Sequence, residues 1–197
     1  MIRLSKSCLT HVEKQNVLAV LDSEFLGMGT EVKNFEADLS KYFNRPTACV
    51  SSGTAALHLA LQAIGLGPGD EVLVQTITYV ASFQAIAATG AKPIACDIDP
   101  TTMSLNLDDA KERLTERTKA IMLIHYAGGV GELDAAYTFA KKYSLRVIED
   151  AAHAFGTTYQ GALIGSKSDV ACFSFDGIKN ITSGEGGCVV TSDKNLL

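Results

Sequence analysis

Short apolar runs alternate with helical periods along most of this chain, and that alternation confines it to an α/β architecture around a mainly parallel sheet. Strands are expected at residues 48–50, 71–75, 93–97, 119–125 and 146–150, with helices at 54–64, 79–88, 107–114 and 132–143 between them. Ahead of these, residues 10–23 and 31–43 read as two amphipathic helices. They are joined by the turn Gly27-Met28-Gly29-Thr30, in which Thr30 is placed to cap the second helix. Residues 1–30 are therefore expected to form an N-terminal arm. Beyond residue 150 the segments shorten: 170–175 is apolar with period two and 187–191 reads as another short strand, both expected as antiparallel additions to the sheet. Residues 192–197 read as the opening of a further element, so the chain is expected to be incomplete.

A net charge of −5, with 17 scattered Lys and Arg residues, leaves no electrostatic footprint for nucleic acid. No apolar run approaches the roughly 18 residues of a membrane helix, and no secretory h-region follows the N-terminus. A cytoplasmic protein without a membrane partner is expected. The odd number of cysteines, Cys8, Cys49, Cys96, Cys172 and Cys188, has no C-x-x-C spacing, which points to reduced and mostly buried thiols.

Chemistry concentrates in three places. The run Ser51-Ser52-Gly53-Thr54-Ala55-Ala56-Leu57 joins a strand to a helix N-terminus, where unpaired N–H groups favour a phosphate and a glycine lets the backbone approach it. An ordinary N-cap is the competing reading. The run Gly65-Leu66-Gly67-Pro68-Gly69 follows a helix and precedes a strand, the reverse of a dinucleotide loop. Next, Val147-Ile148-Glu149-Asp150-Ala151-Ala152-His153 brings two carboxylates and a histidine to the carboxyl end of a strand, the usual ligand-binding edge of an open parallel sheet. Asp150 is placed to keep a ring nitrogen protonated; turn capping is the competing role, and His153 taken alone reads as structural ahead of functional. Finally, Lys179 sits between a strand and the turn Gly184-Glu185-Gly186-Gly187, flanked by Ile178 and Ile181. A partly desolvated amine there is a nucleophile toward an aldehyde, whereas a lone lysine is ordinarily a surface residue.

In this order, Ser52-Gly53-Thr54-Ala55-Ala56-Leu57, Glu149-Asp150-Ala151-Ala152-His153, Phe173-Ser174-Phe175, Lys179-Asn180 and Gly184-Glu185-Gly186-Gly187 resemble the DegT-type sugar aminotransferase family. The likeness runs from near Gly27 to Thr191 and takes in Gly69-Asp70-Glu71-Val72, Thr118-Lys119-Ala120-Ile121 and His125-Tyr126-Ala127-Gly128. It implies a three-layer α/β/α fold with a mixed, mostly parallel seven-stranded sheet. Residues 31–197 would form a pyridoxal 5′-phosphate (PLP) binding large domain, with the small C-terminal domain absent. It further implies that Lys179 is the Schiff-base lysine and that Asp150 pairs with the pyridinium nitrogen. Gly53, Thr54, Ala55 and Ser174 would surround the phosphate, Tyr79 would stack on the cofactor and His153 would lie beside its ring. The implied reaction is a ping-pong transfer of an amino group from glutamate to a nucleotide-linked keto sugar by a homodimer, in the making of a polysaccharide or related glycoconjugate.

The chain departs from the family at Asp176, where many relatives carry His, and in Gly129-Val130-Gly131-Glu132-Leu133-Asp134, where the usual Asp is Glu132. Neither change removes an implied cofactor contact. A PLP-dependent sugar dehydratase of the same family would replace the lysine by histidine, so Lys179 favours transamination. A non-catalytic remnant of the fold is the remaining alternative, and the missing small domain is its support.

Overall fold

The computed structural model describes residues 6–196. In chain order its elements are α1 (His11–Asp22), α2 (Thr30–Phe43), β1 (Thr47–Val50), α3 (Gly53–Ala63), β2 (Glu71–Gln75), α4 (Ala81–Ala88), β3 (Lys92–Cys96), α5 (Leu107–Glu112) and β4 (Thr118–Ile124). A 3-10 turn (Tyr126–Gly128) follows, then α6 (Leu133–Lys142), β5 (Arg146–Asp150), a small hairpin of β6 (Thr158–Tyr159) and β7 (Ala162–Leu163), β8 (Val170–Ser174) and β9 (Gly187–Thr191).

The main sheet has seven strands in the order β1-β9-β8-β5-β4-β2-β3. Pairings from β8 through β5, β4 and β2 to β3 are parallel, and β9 runs antiparallel to both of its neighbours. The expected antiparallel character of the C-terminal strands is thus corrected: it belongs to β9, while β8 lies parallel to β5. Period two reports which face a side chain takes and carries no information on strand direction.

That period divides the core into two layers. Val72, Val74, Met122, Ile124, Ile148 and Cys172 point toward α3 and α4. Leu73, Ile121, Leu123, Val147, Ala171 and Phe173 point to the opposite side, where α2, α5 and α6 close over them. Helix α1 is tied by a capping box between Thr10 and Glu13 and has no buried residue. Thr30 proves to be the first residue of α2, and its N-cap is Gly29, which makes no side-chain bond. A Cβ at Gly29 would meet the Phe25 ring at 2.6 Å, so close packing takes precedence over capping there. Helix α4 starts at Ala81, later than its expected start at Tyr79. Hairpin β6–β7 was not expected; it turns through Gln160 and Gly161, both at positive φ (51° and 78°), as a two-residue hairpin loop requires. Cys96, Cys172 and Cys188 are buried, Cys49 is half-buried and Cys8 is exposed, and all are free thiols. Burial pushes the Cys49 and Cys96 thiols up to about 11.

Arg45 clamps the far end of the sheet. Its buried guanidinium donates to the Gly165 carbonyl, to the Ser168 carbonyl at 2.8 Å and to Ser192 Oγ at 2.8 Å. Arg45→Met keeps the apolar stem and leaves those carbonyls without a donor. The free energy of unfolding in urea should fall by about 2–4 kcal/mol; an unchanged midpoint would mean that water replaces the guanidinium without cost.

Candidate functional site

The carboxyl ends of β2, β4, β5 and β8 lie along one edge of the sheet, and the side chains there sort by parity. Glu149 and Asp150 are adjacent on β5 and therefore face opposite layers. Asp150 points with Ile148 toward α4, where its Oδ2 accepts from Ser82 Oγ at 2.7 Å and its Oδ1 from the Ala152 N–H at 3.3 Å. Glu149 points toward α6 and is fully buried, accepting from the Tyr137 hydroxyl and from the Gly165 N–H at 2.9 Å. His125 Nε2 stands 3.8 Å from Glu149 Oε1, beyond hydrogen-bond length. Burial pushes the Glu149 carboxyl up, but His125, Tyr137 and the Gly165 N–H outweigh it and hold the group below its ordinary value. The two carboxylates read together in the sequence are thereby separated into a satisfied internal one and one at the site.

Ser174 ends β8 on the same face as Asp150, and the first turn of α3 packs against it. A Cβ at Gly53 would lie 2.8 Å from Ser174 Cβ and 3.2 Å from its Oγ, so only glycine permits this approach. Gly187 on β9 is equally constrained, its notional Cβ falling 2.6 Å from the Ser52 carbonyl. The Ser52 side chain caps α3 by accepting from the Ala55 N–H at 3.1 Å. That leaves the N–H groups of Gly53 and Thr54 as the open end of the helix, with the exposed Thr54 hydroxyl beside them. Ala55, expected as a phosphate donor, already has its N–H engaged by the cap.

Lys179 lies in the connection between β8 and β9. The Asp176 carbonyl accepts its N–H at 2.9 Å and Asp176 Oδ1 accepts the Ile178 N–H at 2.9 Å, so a turn built on Asp176 presents the lysine. Asn180 Nδ2 fastens the same turn to the Phe155 carbonyl at 2.8 Å. The lysine itself is half-buried, while Ile178 and Ile181 are 66% and 45% exposed, so the expected apolar flank is open to solvent. Lys179 and His153 line one cleft of about 710 Å³ together with Ala127, Cys8 and Leu9. Ser7 Oγ donates to the Gly177 carbonyl at 2.6 Å, tying the N-terminal segment to the lysine turn.

His153 Nδ1 accepts the Ala127 N–H at 3.3 Å, which puts the ring proton on Nε2. Burial first, and then the nearby Lys179 charge, lower its pKa, with Asp150 opposing them. Ala127 makes that donation from a left-handed conformation (φ 52°) within the 3-10 turn. Tyr79 is 73% exposed at the start of the α4 region. Sequence reasoning missed Ser82, Ala127 and Ser7; the only trace of Ser82 was a hydroxyl on the otherwise apolar buried face of α4.

The profile of the DegT/DnrJ/EryC1/StrS aminotransferase family matches residues 7–197. Among curated proteins the chain is 45% identical over 190 residues to GDP-perosamine synthase of Escherichia coli O157:H7, covering 95% of this chain and 52% of that protein. It is 37% identical over 199 residues to dTDP-4-dehydro-2,3,6-trideoxy-D-glucose 4-aminotransferase of Saccharopolyspora spinosa, covering 100% and 52% of the two chains. The structure superposes on the PLP form of Spr1654 from Streptococcus pneumoniae with a TM-score of 0.94 at 34% identity, over 100% of this chain and 54% of that one. The chain thus spans about half the length of the curated relatives it matches. No described helix is long and apolar enough to cross a membrane.

Because the pKa of His153 is lowered on folding, the unfolded chain takes up that proton first as the pH falls. Stability should decline as the pH drops through the ordinary histidine value of about 6.5, and the decline should level off below the lower folded value. Proton NMR titration, with His153→Gln to assign the signal, should give a midpoint below that ordinary value; a midpoint above it would contradict the geometry.

Proposed function

The chain belongs to the DegT/DnrJ/EryC1/StrS aminotransferase family, and on that premise we propose that its cleft binds PLP and transfers an amino group to a nucleotide-linked keto sugar. A single observation carries this reading. One edge of the sheet holds an amine in a fixed turn, a carboxylate with defined donors and a helix N-terminus stripped of side chain at Gly53. These residues fit a flat, anionic pyridine aldehyde. Gly53 leaves room for backbone donors to approach a phosphate, and Thr54 and Ser174 add hydroxyls on either side. Asp150 suits a protonated ring nitrogen, and the neutral His153 suits contact with the ring. Tyr79, projecting into solvent, supplies an aromatic face.

When bound, the cofactor supplies an electron sink for cleavage at the α-carbon of the amino donor. Asp150 would deepen that sink by keeping the ring nitrogen protonated. Lys179 would hold the cofactor through its Nζ, and once freed by the donor amine that Nζ would take up a proton from the donor's α-carbon and give it back, acting as base and then as acid. Glutamate as donor, the ping-pong order and a homodimeric assembly belong to the same proposal, as does the division into an arm (residues 1–30) and a large domain (31–197). The nucleotide-sugar acceptor is supported by the names of the curated relatives, which act as a GDP-perosamine synthase and a dTDP-sugar 4-aminotransferase.

The full protein with PLP should develop a visible absorbance band that borohydride reduces and that Lys179→Ala abolishes. Amino transfer in that variant should fall by a factor of about 10² to 10⁴ or more. A folded wild-type protein that forms no Lys179-dependent band would sink the proposal. Gly53→Ala should weaken PLP binding about tenfold or more, equivalent to at least ~1.4 kcal/mol, because its Cβ must displace Ser174. Absorbance titration measures this loss, and unchanged affinity would remove Gly53 from the phosphate site.

A further inference from the structure

We propose that Thr78 and Ser82 form a directed hydroxyl relay that positions the Asp150 carboxylate, making Ser82 a positioning residue for the reaction; this inference rests on the function proposed above. Ser82 is fully buried on α4 between Ala81 and Ala85, 68 residues from Asp150 in sequence. A hydroxyl there costs roughly 1–3 kcal/mol unless it is bonded, and its position is not needed for core packing that alanine could supply.

Donor counting fixes the direction of the relay. An ionised carboxylate only accepts, so the single Ser82 proton goes to Asp150 Oδ2 at 2.7 Å. Thr78 Oγ1 lies 2.7 Å from Ser82 Oγ, and since the Ser82 proton is already committed, Thr78 is the donor in that contact. Its alternative acceptor, the Tyr79 carbonyl, is farther at 3.3 Å. The relay therefore runs Thr78 to Ser82 to Asp150, each bond polarising the next. With the Ala152 N–H on Oδ1 at 3.3 Å, both carboxylate oxygens are held and the plane of the group is set. The relay also anchors the loop that carries Tyr79, so the carboxylate and the aromatic face are positioned by one set of bonds.

A carboxylate that loses its Ser82 donor can rotate, and its pairing with the ring nitrogen loosens. The direct readout is the 15N chemical shift of the ring nitrogen in the full protein loaded with ring-15N PLP. Wild type should give a pyridinium-like shift and Asp150→Asn a pyridine-like one. Ser82→Ala should move toward the Asp150→Asn value and slow the half-reaction with the amino donor about 10- to 100-fold, and Ser82→Thr should restore both. Thr78→Val, which leaves the buried position untouched, should shift in the same direction by less, and it decides the matter if Ser82→Ala does not fold. If wild type forms the Lys179-dependent band and both variants keep the wild-type shift and rate, the relay is overturned while the proposed function stands. Absence of the band in wild type would instead remove the function itself.

Discussion

Two neighbouring carboxylates on one buried strand are forced to opposite faces of the sheet, and the organisation of this molecule depends on that division. Alternation on β5 sends Glu149 into the layer beneath α6 and Asp150 into the layer beside α4. On one face the donors come from protein: the Tyr137 hydroxyl and the Gly165 N–H bond a carboxylate with no exposure, and His125 stands close by at 3.8 Å. A buried charge is tolerable only with such partners. On the other face Asp150, also buried, has a protein donor at each oxygen and lies at the carboxyl end of its strand. The same backbone period thus places one acid among protein donors inside the α6 layer and the other at the carboxyl edge beside α4.

Close approach governs the rest of the site. Helix α3 can direct its N-terminus across the end of β8 because Gly53 and Gly187 present no side chain where the backbones meet. The approach places an open helix end, the Ser174 hydroxyl and Asp150 on one face, while the Asp176 turn holds Lys179 above the edge. The helix end, Asp150 and the segment from Ser174 to Lys179 follow three different strands, β1, β5 and β8, and the sheet brings them together because these strands end on the same side.

Much of the fold was legible in the sequence because alternation between apolar runs and helical periods is a strong signal over segments as long as β4 and α6. Boundaries generally agreed to within a residue or two, as at β4, expected at 119–125 and observed at Thr118–Ile124. What escaped notice had physical reasons. β6 and β7 are two residues each, too short for any period, and their only mark was the glycine of the Gln160-Gly161 turn. The direction of β8 depends on its pairing with β5, which local pattern cannot encode. Thr30 looked like a cap, and the position of Phe25 assigned that role to Gly29. At the site, residues such as Lys179 and Asp150 were visible because motifs keep their order along the chain. The contacts that orient them were not, since Ser82 meets Asp150 and Ala127 meets His153 only through the register of the folded sheet.

The cost of those orienting contacts is carried locally. Ala127 holds a left-handed conformation that an L-residue adopts at a penalty of about 1–2 kcal/mol, and its N–H then meets His153 Nδ1 where a relaxed turn would aim elsewhere. Gly128, at φ 84°, completes the turn with its notional Cβ 3.3 Å from the His153 carbonyl, so the strand-end histidine and the turn after β4 fit only in this arrangement. His125 begins the turn, and its N–H is accepted by the Asp150 carbonyl at 3.1 Å. The backbone of the acid at the site therefore supports the turn that orients the histidine. A change in the path of β5 would displace both groups together, which is why Asp150 and His153 are best understood as a single rigid unit.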